Sequence, residues 1–338
     1  MQFHTPAFMG NAEQSGQWRT PPIKAQLRQW WRVAYAAAKN FKVDIKTMRG
    51  EEGRVFGNAW LENNFSKSLV RIRLDSWDEG KLKKQNWQQL EKVTHPEVTQ
   101  QAPADLYLGY GAITLPRGGN QPTLQSNAAI QAGETAQLSI AVPEADAPLI
   151  EQALWLMDHF GTLGGRSRNG WGSYQLIPLK ETRLAPITLP LSNLSGALKL
   201  DWPHALGQDT QGALIWQTAT HTDWKAAMKQ LAEIKIGLRT QFNFTTGNNA
   251  PCAEARHWLS YPVTNHSVQA WGGNARLPNS LRFKVRPTSD GNVVGLIFHL
   301  PCQPPTTFMP DAATLQKVWQ KVHGYLDKPA HSLTRSKE

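Results

Sequence analysis

"PLIEQALWLMDHFGTLGGRSRNGWGSYQLIPL", residues 148–179, is the stretch on which the reading of the fold turns. Across residues 148–160, Leu149, Ala153, Met157 and Phe160 recur at helical spacing, so a helix is expected there. Gly161 suits the left-handed position just past a helix end. SYQLIPL (173–179) reads as a strand. Between them lies a loop rich in glycine that carries Arg166 and Arg168.

The loop therefore leaves a helix and enters a strand. A dinucleotide fingerprint does the reverse, because the pyrophosphate must meet a helix N-terminus. A phosphate-binding Walker loop needs Lys and Ser/Thr after its GxxxxG, whereas Trp171 and Gly172 follow Gly170 here. Two readings stay open. The glycines can simply satisfy positive φ in a turn. Alternatively, Gly164, Gly165, Ser167, Asn169 and Gly170 bring main-chain N–H groups close to an anion. In that case Arg166 and Arg168 take phosphates, and Trp171 packs beneath them or against a base.

Upstream, TPPIKAQLRQWWRVAYAAAKN (20–40) reads as a helix, with Thr20 as N-cap, prolines in the first turn and Asn40 at its end. Ile23, Leu27, Trp30, Ala34 and Ala38 form its apolar stripe. Lys24, Arg28, Trp31, Arg32, Tyr35 and Lys39 fall on a second face within an arc of about 100°. DIKTMRGEEG (44–53) reads as a mobile polar loop. SLVRIRL (68–74), LYLGYGAITL (106–115) and AQLSIAV (136–142) are strand-like. The order to residue 180 is thus β-α-β-β-α-β with insertions, the split motif of ferredoxin-like folds.

Residues 183–195, proline-rich and low in charge, read as a linker. Beyond it, TDWKAAMKQLAEIKIG (222–237) is a helix with Thr222 as N-cap and Gly237 as its stop. LRFKVR (281–286) alternates, placing Arg282, Lys284 and Arg286 on one strand face, which is either simply exposed, an extension of an RNA groove, or a contact with a neighbouring subunit. VVGLIFHL (293–300) is a strand covered on both faces, and a last helix starts near Asp311. The expected class is α+β: two ferredoxin-like (RRM-like) domains in tandem, residues 1–182 and 196–338.

The chain has 338 residues, a net charge of +10 and 40% hydrophobic residues, as for two folded domains. No apolar run approaches the ~18 residues of a membrane helix. The N-terminus has neither the basic start nor the apolar run of a signal peptide. Cys252 and Cys302 have no metal-spaced partner and read as reduced core thiols of a cytoplasmic protein. No metal or cofactor is implied. Positive charge in excess fits solvated surface or a polyanionic partner. Several of the 14 tryptophans adjoin basic residues, as in Trp30-Trp31-Arg32 and Arg256-His257-Trp258. Such neighbours suit stacked bases, or ordinary cation–π packing.

Two segments together carry a family resemblance. GTLGGRSRNGWGSY (161–174) resembles the glycine-rich loop of the RAMP superfamily of CRISPR–Cas proteins. TPAFMGNAEQSGQWRTPPIKAQLRQWWRVAY (5–35) is similar to the start of one branch, the first subunits of the type III-B Cmr effector complex. VFGNAW (55–60), YLGYGAI (107–113) and RHWLSYPV (256–263) follow in the expected order. Ala25 and Gln26 stand where that branch often has a small residue or glycine. The resemblance spans most of 3–180 and, more thinly, 237–302.

The resemblance implies a ferredoxin-like RNA-binding protein without catalysis of its own. It would work in antiviral defence beside other RAMP subunits, on the 3′ portion of a CRISPR RNA and its duplex with target RNA. Its expected RNA-binding residues are Arg19, Lys24, Arg28, Trp31, Arg32, Gly164, Gly165, Arg166, Ser167, Arg168, Asn169, Gly170 and Trp171. The alternative is a stand-alone RAMP endoribonuclease that matures CRISPR RNA without metal. That chemistry needs a general base and acid. The candidates are His4, His159 and Asp44, and no histidine pair or triad accompanies them.

Overall fold

The computed structural model describes residues 1–59, 65–179 and 183–336. Trp60, the last residue of the VFGNAW motif, and residue 182, where the first domain is expected to end, lie outside them. The fold is mixed α+β. The chain forms two compact units: unit 1 holds residues 1–89, 109–190 and 284–286, and unit 2 holds residues 90–108, 191–283 and 287–338.

In unit 1 the principal elements are β1 (Gln2–Phe3), α1 (Thr20–Ala38), α2 (Ile45–Phe56), β2 (Arg71–Leu74), β3 (Leu138–Ala141), α3 (Ala147–Phe160) and β4 (Tyr174–Gln175). β1 runs antiparallel to β4, pairing Gln2 with Gln175 and Phe3 with Tyr174. On its other side Gln2 bridges Thr135, just ahead of β3. β3 in turn pairs antiparallel with β2, Ile72 opposite Ile140. α1 packs on α3, with the Trp30 and Phe160 rings 5.9 Å apart. Each large apolar side chain buried there contributes about 1.5–3 kcal/mol.

Local details depart from the sequence reading. Thr20 is the first helical residue of α1, and its N-cap is Arg19, with Pro21 and Pro22 in the first turn. The helix closes at Lys39, and Asn40 and Phe41 then take positive φ. The expected mobile loop at 44–53 is instead α2. Asp44 caps it, its carboxylate accepting the Thr47 N–H at 2.7 Å. Within 106–115 the first half is helical (Ala104–Gly109), and only Ile113–Thr114 is strand. A short apolar run carries no period to separate the two. Gly161 is extended rather than left-handed. Glycine is needed there for space, since a Cβ would lie 2.2 Å from the Tyr174 hydroxyl and 2.3 Å from the Met157 carbonyl.

A four-stranded sheet of β5 (Ile215–Gln217), β6 (Leu281–Pro287), β7 (Val293–His299) and β8 (Thr334–Arg335), in the order β6-β7-β5-β8, carries unit 2, save that residues 284–286 of β6 belong to unit 1. β5 is antiparallel to both β7 and β8. α4 (Trp224–Thr240) follows β5, and α5 (Ala312–Leu326) precedes β8. Asp223, not Thr222, caps α4. Gly237 does not stop the helix: it sits inside it because a Cβ there would meet the Tyr325 hydroxyl at 1.8 Å. Residues 191–195, expected as the end of the linker, belong to a strand (Leu191–Asn193) parallel to Leu206–Asp209 and a helical turn (Leu194–Ala197). Cys252 is exposed and Cys302 half-buried, so neither is the core thiol expected. Among the described residues no helix is long and apolar enough to cross a membrane, and no His/Cys/Asp/Glu group could hold a metal ion.

Candidate nucleic-acid interface

The glycine loop of unit 1 is a clamped turn. Thr162 bridges Ser173, and the Leu163 N–H donates to the Gly172 carbonyl at 2.9 Å. The Gly165 N–H donates to Phe8 and the Gly172 N–H to Pro6, so the segment after β1 forms one wall of the turn. Thr5 Oγ1 and Ser173 Oγ both donate to the Gly170 carbonyl at 2.8 Å. Two glycines are obligatory. Gly164, at φ +95°, brings its α-carbon so close to Phe8 that a Cβ would lie 2.7 Å from the Phe8 carbonyl oxygen. Gly172, at φ +65°, would place a Cβ 1.8 Å from the Leu163 carbonyl oxygen.

This geometry corrects two expectations. Much of the loop's main chain is not available to an anion. The N–H groups of Leu163, Gly165, Asn169, Gly170, Gly172 and Ser173 all donate within the protein. Trp171 is no stacking platform either, for it is fully buried, its ring 5.2 Å from Phe8 and 5.9 Å from Trp87. What the clamp leaves outside is its tip. Gly165 and Arg166 are exposed, and Ser167, Arg168 and Asn169 are half-exposed. Arg166, at φ +56°, lays its guanidinium along Gly111, where a Cβ would come within 3.2 Å of it. Tyr110, next along the chain, is 67% exposed. Tyr110 is not among the site residues expected from the sequence. The YLGYGAI motif was the available signal.

The first helix does meet the loop, but through its buried side. Gln26 fits the join when its amide nitrogen faces the Thr162 carbonyl (2.5 Å) and its oxygen the Trp30 indole N–H (2.9 Å). The basic face of α1 has another fate. α2 lies against it and supplies Glu52, 2% exposed, which accepts from Arg28 Nη2 and from Arg32 Nη2 at 2.9 Å each. Burial opposes ionisation of Glu52, yet the hydrogen bonds from Arg28 and Arg32 prevail and hold its carboxyl below the usual range. Those bonds also raise the pKa of Arg28. Trp31, expected to stack on a base, is 1% exposed, edge-on to Phe56 of α2 at 5.8 Å and 5.0 Å from Tyr35. Arg28, Trp31 and Arg32 are thus committed to the α1–α2 contact. Lys24 is half-buried, its pKa lowered first by burial and then by the charge of Arg28. Arg19 donates to the Gly10 carbonyl at 2.5 Å.

Of the residues weighed for acid–base chemistry, Asp44 and His159 hold structural posts. The Asp44 carboxylate caps α2. His159 stacks on Trp155 at 3.6 Å, its Nδ1 2.8 Å from the Trp155 carbonyl. Burial, reinforced by the charge of Arg286, lowers its pKa to about 4. His4 is half-buried, its pKa lowered by burial and then by the charge of Lys284. Lys284 itself corrects the expected exposed face of LRFKVR. It is fully buried in unit 1, where its Nζ donates to the carbonyls of Asp158 (2.5 Å) and Gly161 (2.8 Å) at the end of α3. Burial lowers its pKa to about 7, against the pull of Asp158.

A family model described as the RAMP superfamily matches residues 1–175. No curated protein matches the sequence. Among solved structures, the chain is similar to the apo crystal structure of Cmr1 from Pyrococcus furiosus, at 14% identity and a TM-score of 0.47, covering 98% of this chain and 96% of that one. It is also similar to a chain in the cryo-EM structure of the type III-B Cmr-beta bound to cognate target RNA, at 10% identity and a TM-score of 0.43, covering 95% of this chain and 98% of that one.

Proposed function

The chain belongs to the RAMP superfamily, and from that premise we propose that it is a non-catalytic RNA-binding subunit of a type III-B (Cmr) CRISPR RNA-guided effector in the cytoplasm. Its partners are a CRISPR RNA, the target RNA paired with its 3′ portion, and other RAMP subunits. The branch rests on the similarity of residues 5–35 to the first Cmr subunits. The antiparallel order β6-β7-β5-β8 in unit 2, and the β4-β1-β3-β2 succession in unit 1, support reading both halves as ferredoxin-like.

One observation carries the RNA reading: a rigid turn holds Arg166 at its exposed tip, with Arg168 half-exposed beside it and the Tyr110 ring in solvent nearby. Arginine forks suit phosphodiesters, and phosphate contacts impose no base preference, as a subunit that accepts any guide requires. An exposed tyrosine gives a base a face to stack on, worth about 1–3 kcal/mol. Lys24 and Arg19 add long-range attraction. The roles first given to Trp31 and Trp171 pass to Tyr110, because a base stacks only on a ring it can reach.

Fluorescence anisotropy with single-stranded RNA across a salt series tests this. Replacing Arg166 and Arg168 by Ala flattens the slope of log K against log[salt] by up to ~1.4, about 0.7 for each phosphate released. A slope equal to the wild type's removes the loop tip from the interface. Incubation with repeat-containing RNA in EDTA leaves the RNA intact on this reading. Site-specific cleavage, lost in His4→Ala, would replace it with the endoribonuclease alternative.

A further inference from the structure

Unit 2 contains a group of cations that its own carboxylates do not balance. Arg239, on the last turn of α4, is buried, and one Nη donates to Ser260 Oγ at 2.6 Å. No carboxylate pairs with it among the described residues. Arg256 is 5% exposed, its guanidinium 5.1 Å from the centre of the Phe244 ring. Its Nη1 pairs with Glu97 at 2.5 Å, yet its Nε is buried without a hydrogen-bond partner among the described residues. The two guanidiniums share one neighbourhood, for both act electrostatically on Tyr107 and on His95. Burial lowers the pKa of Arg239; Tyr107 and Glu97 pull it up, and the charge of Arg256 pulls it down.

Burying a guanidinium is costly unless an anion meets it. Here two are buried and one carboxylate serves them. That carboxylate, Glu97, is itself 44% exposed. It stands at the surface end of the cluster, where a ligand would enter. Ser260 Oγ accepts from Arg239, which leaves the hydroxyl proton free to donate. Two planar forks and a hydroxyl donor match the oxygens of a phosphate group better than they match one monodentate carboxylate.

We propose that Arg239, Arg256 and Ser260 form a phosphate-binding site in unit 2, and that the Glu97 carboxylate holds the ligand's place when the site is empty. The phosphate belongs either to an RNA backbone or to a free nucleotide. The site draws on no residue of the glycine loop and does not rest on the reading of that loop.

The experiment uses the full chain carrying Arg166→Ala and Arg168→Ala, so that the loop tip contributes nothing. Its melting temperature is followed while inorganic phosphate replaces chloride at constant ionic strength. A specific site gives a rise that grows with the logarithm of phosphate concentration once phosphate exceeds its Kd, since a ligand stabilises by RT ln(1 + [L]/Kd). Glu97→Gln removes the competing carboxylate and tightens the apparent phosphate affinity by about threefold, the scale of a half-exposed ion pair. Arg256→Lys keeps the charge but loses the fork, and weakens phosphate while leaving the protein folded. AMP and a single-stranded RNA of about 12 nucleotides then separate the sources. Protection by RNA alone assigns the site to a backbone, and equal protection by AMP assigns it to a nucleotide. Identical melting in phosphate and chloride, in both the loop variant and its Glu97→Gln derivative, overturns the proposal. So does a Glu97→Gln protein that only loses stability and gains no phosphate response.

Discussion

Two regions of unit 1 carry the same kind of charge and meet different ends. On α1, Arg28 and Arg32 converge on a buried carboxylate supplied by α2. At the tip of the glycine loop, Arg166 stays in solvent on a turn closed by its own main-chain hydrogen bonds. The positive residues of α1 hold two helices together. On the loop, Arg166 is held out at the tip of that turn. A basic stripe is therefore evidence of a polyanion only where no carboxylate from elsewhere in the chain has reached it first.

The largest test concerns the support of the loop. Lys284 caps the end of α3 at the loop's root, with its pKa lowered to about 7. Below about pH 7 both folded and unfolded chains bind its proton. Between there and the usual lysine range only the unfolded chain does, so stability rises with pH across that window. The gain in unfolding free energy from pH 7 to pH 10 is about 4 kcal/mol. It should be read by urea denaturation and should vanish in Lys284→Met. A flat profile in the wild type would mean that Lys284 is solvated and that the loop root is loose.

Next comes the turn itself. Gly172→Ala forces a Cβ into the Leu163 carbonyl at positive φ, at a cost of about 3 kcal/mol from overpacking and the left-handed backbone together. Thermal melting measures it. A loss below about 0.5 kcal/mol would show that the turn adapts and that Arg166 is not rigidly presented.

The smallest effect sharpens the contrast most. Glu52→Gln leaves Arg28 and Arg32 without their carboxylate. Both arginines are partly solvated, so the loss of stability is about 1–2 kcal/mol rather than the full penalty of a buried pair. RNA affinity should rise about threefold with a steeper salt slope, because the α1 face becomes cationic again. Unchanged RNA binding in Glu52→Gln would place α1 off the path of the strand altogether.

Much of this was legible in residue order. The helix-loop-strand sense of 148–179 excluded a dinucleotide fingerprint, and Trp171-Gly172 after Gly170 excluded a Walker loop. The apolar stripe of α1 apart from exposed Ala38, the continuous apolar run of β7 and the start of α5 just after Asp311 lie where the pattern put them. Other features carried weak signals. α2 is polar, contains two glycines and no apolar stripe of note, so its Asp44–Thr47 cap was the available hint. Gly237 read as a stop because a packing contact with Tyr325 leaves no trace in its neighbours. Lys284 kept the alternation of a strand, but its alternate face meets helix carbonyls instead of water.

Periodicity and the order of glycines belong to the chain alone, since they depend on neighbours a few residues away. From them came the α+β class, the helix that enters the loop and the strand that leaves it. Which charges stay free is a property of the fold. Glu52 lies twenty-four residues from Arg28, and Glu97 lies more than a hundred and fifty from Arg256. Coulomb attraction and the cost of desolvation act through space, so only folding determines which cations are neutralised and which remain to meet a phosphate.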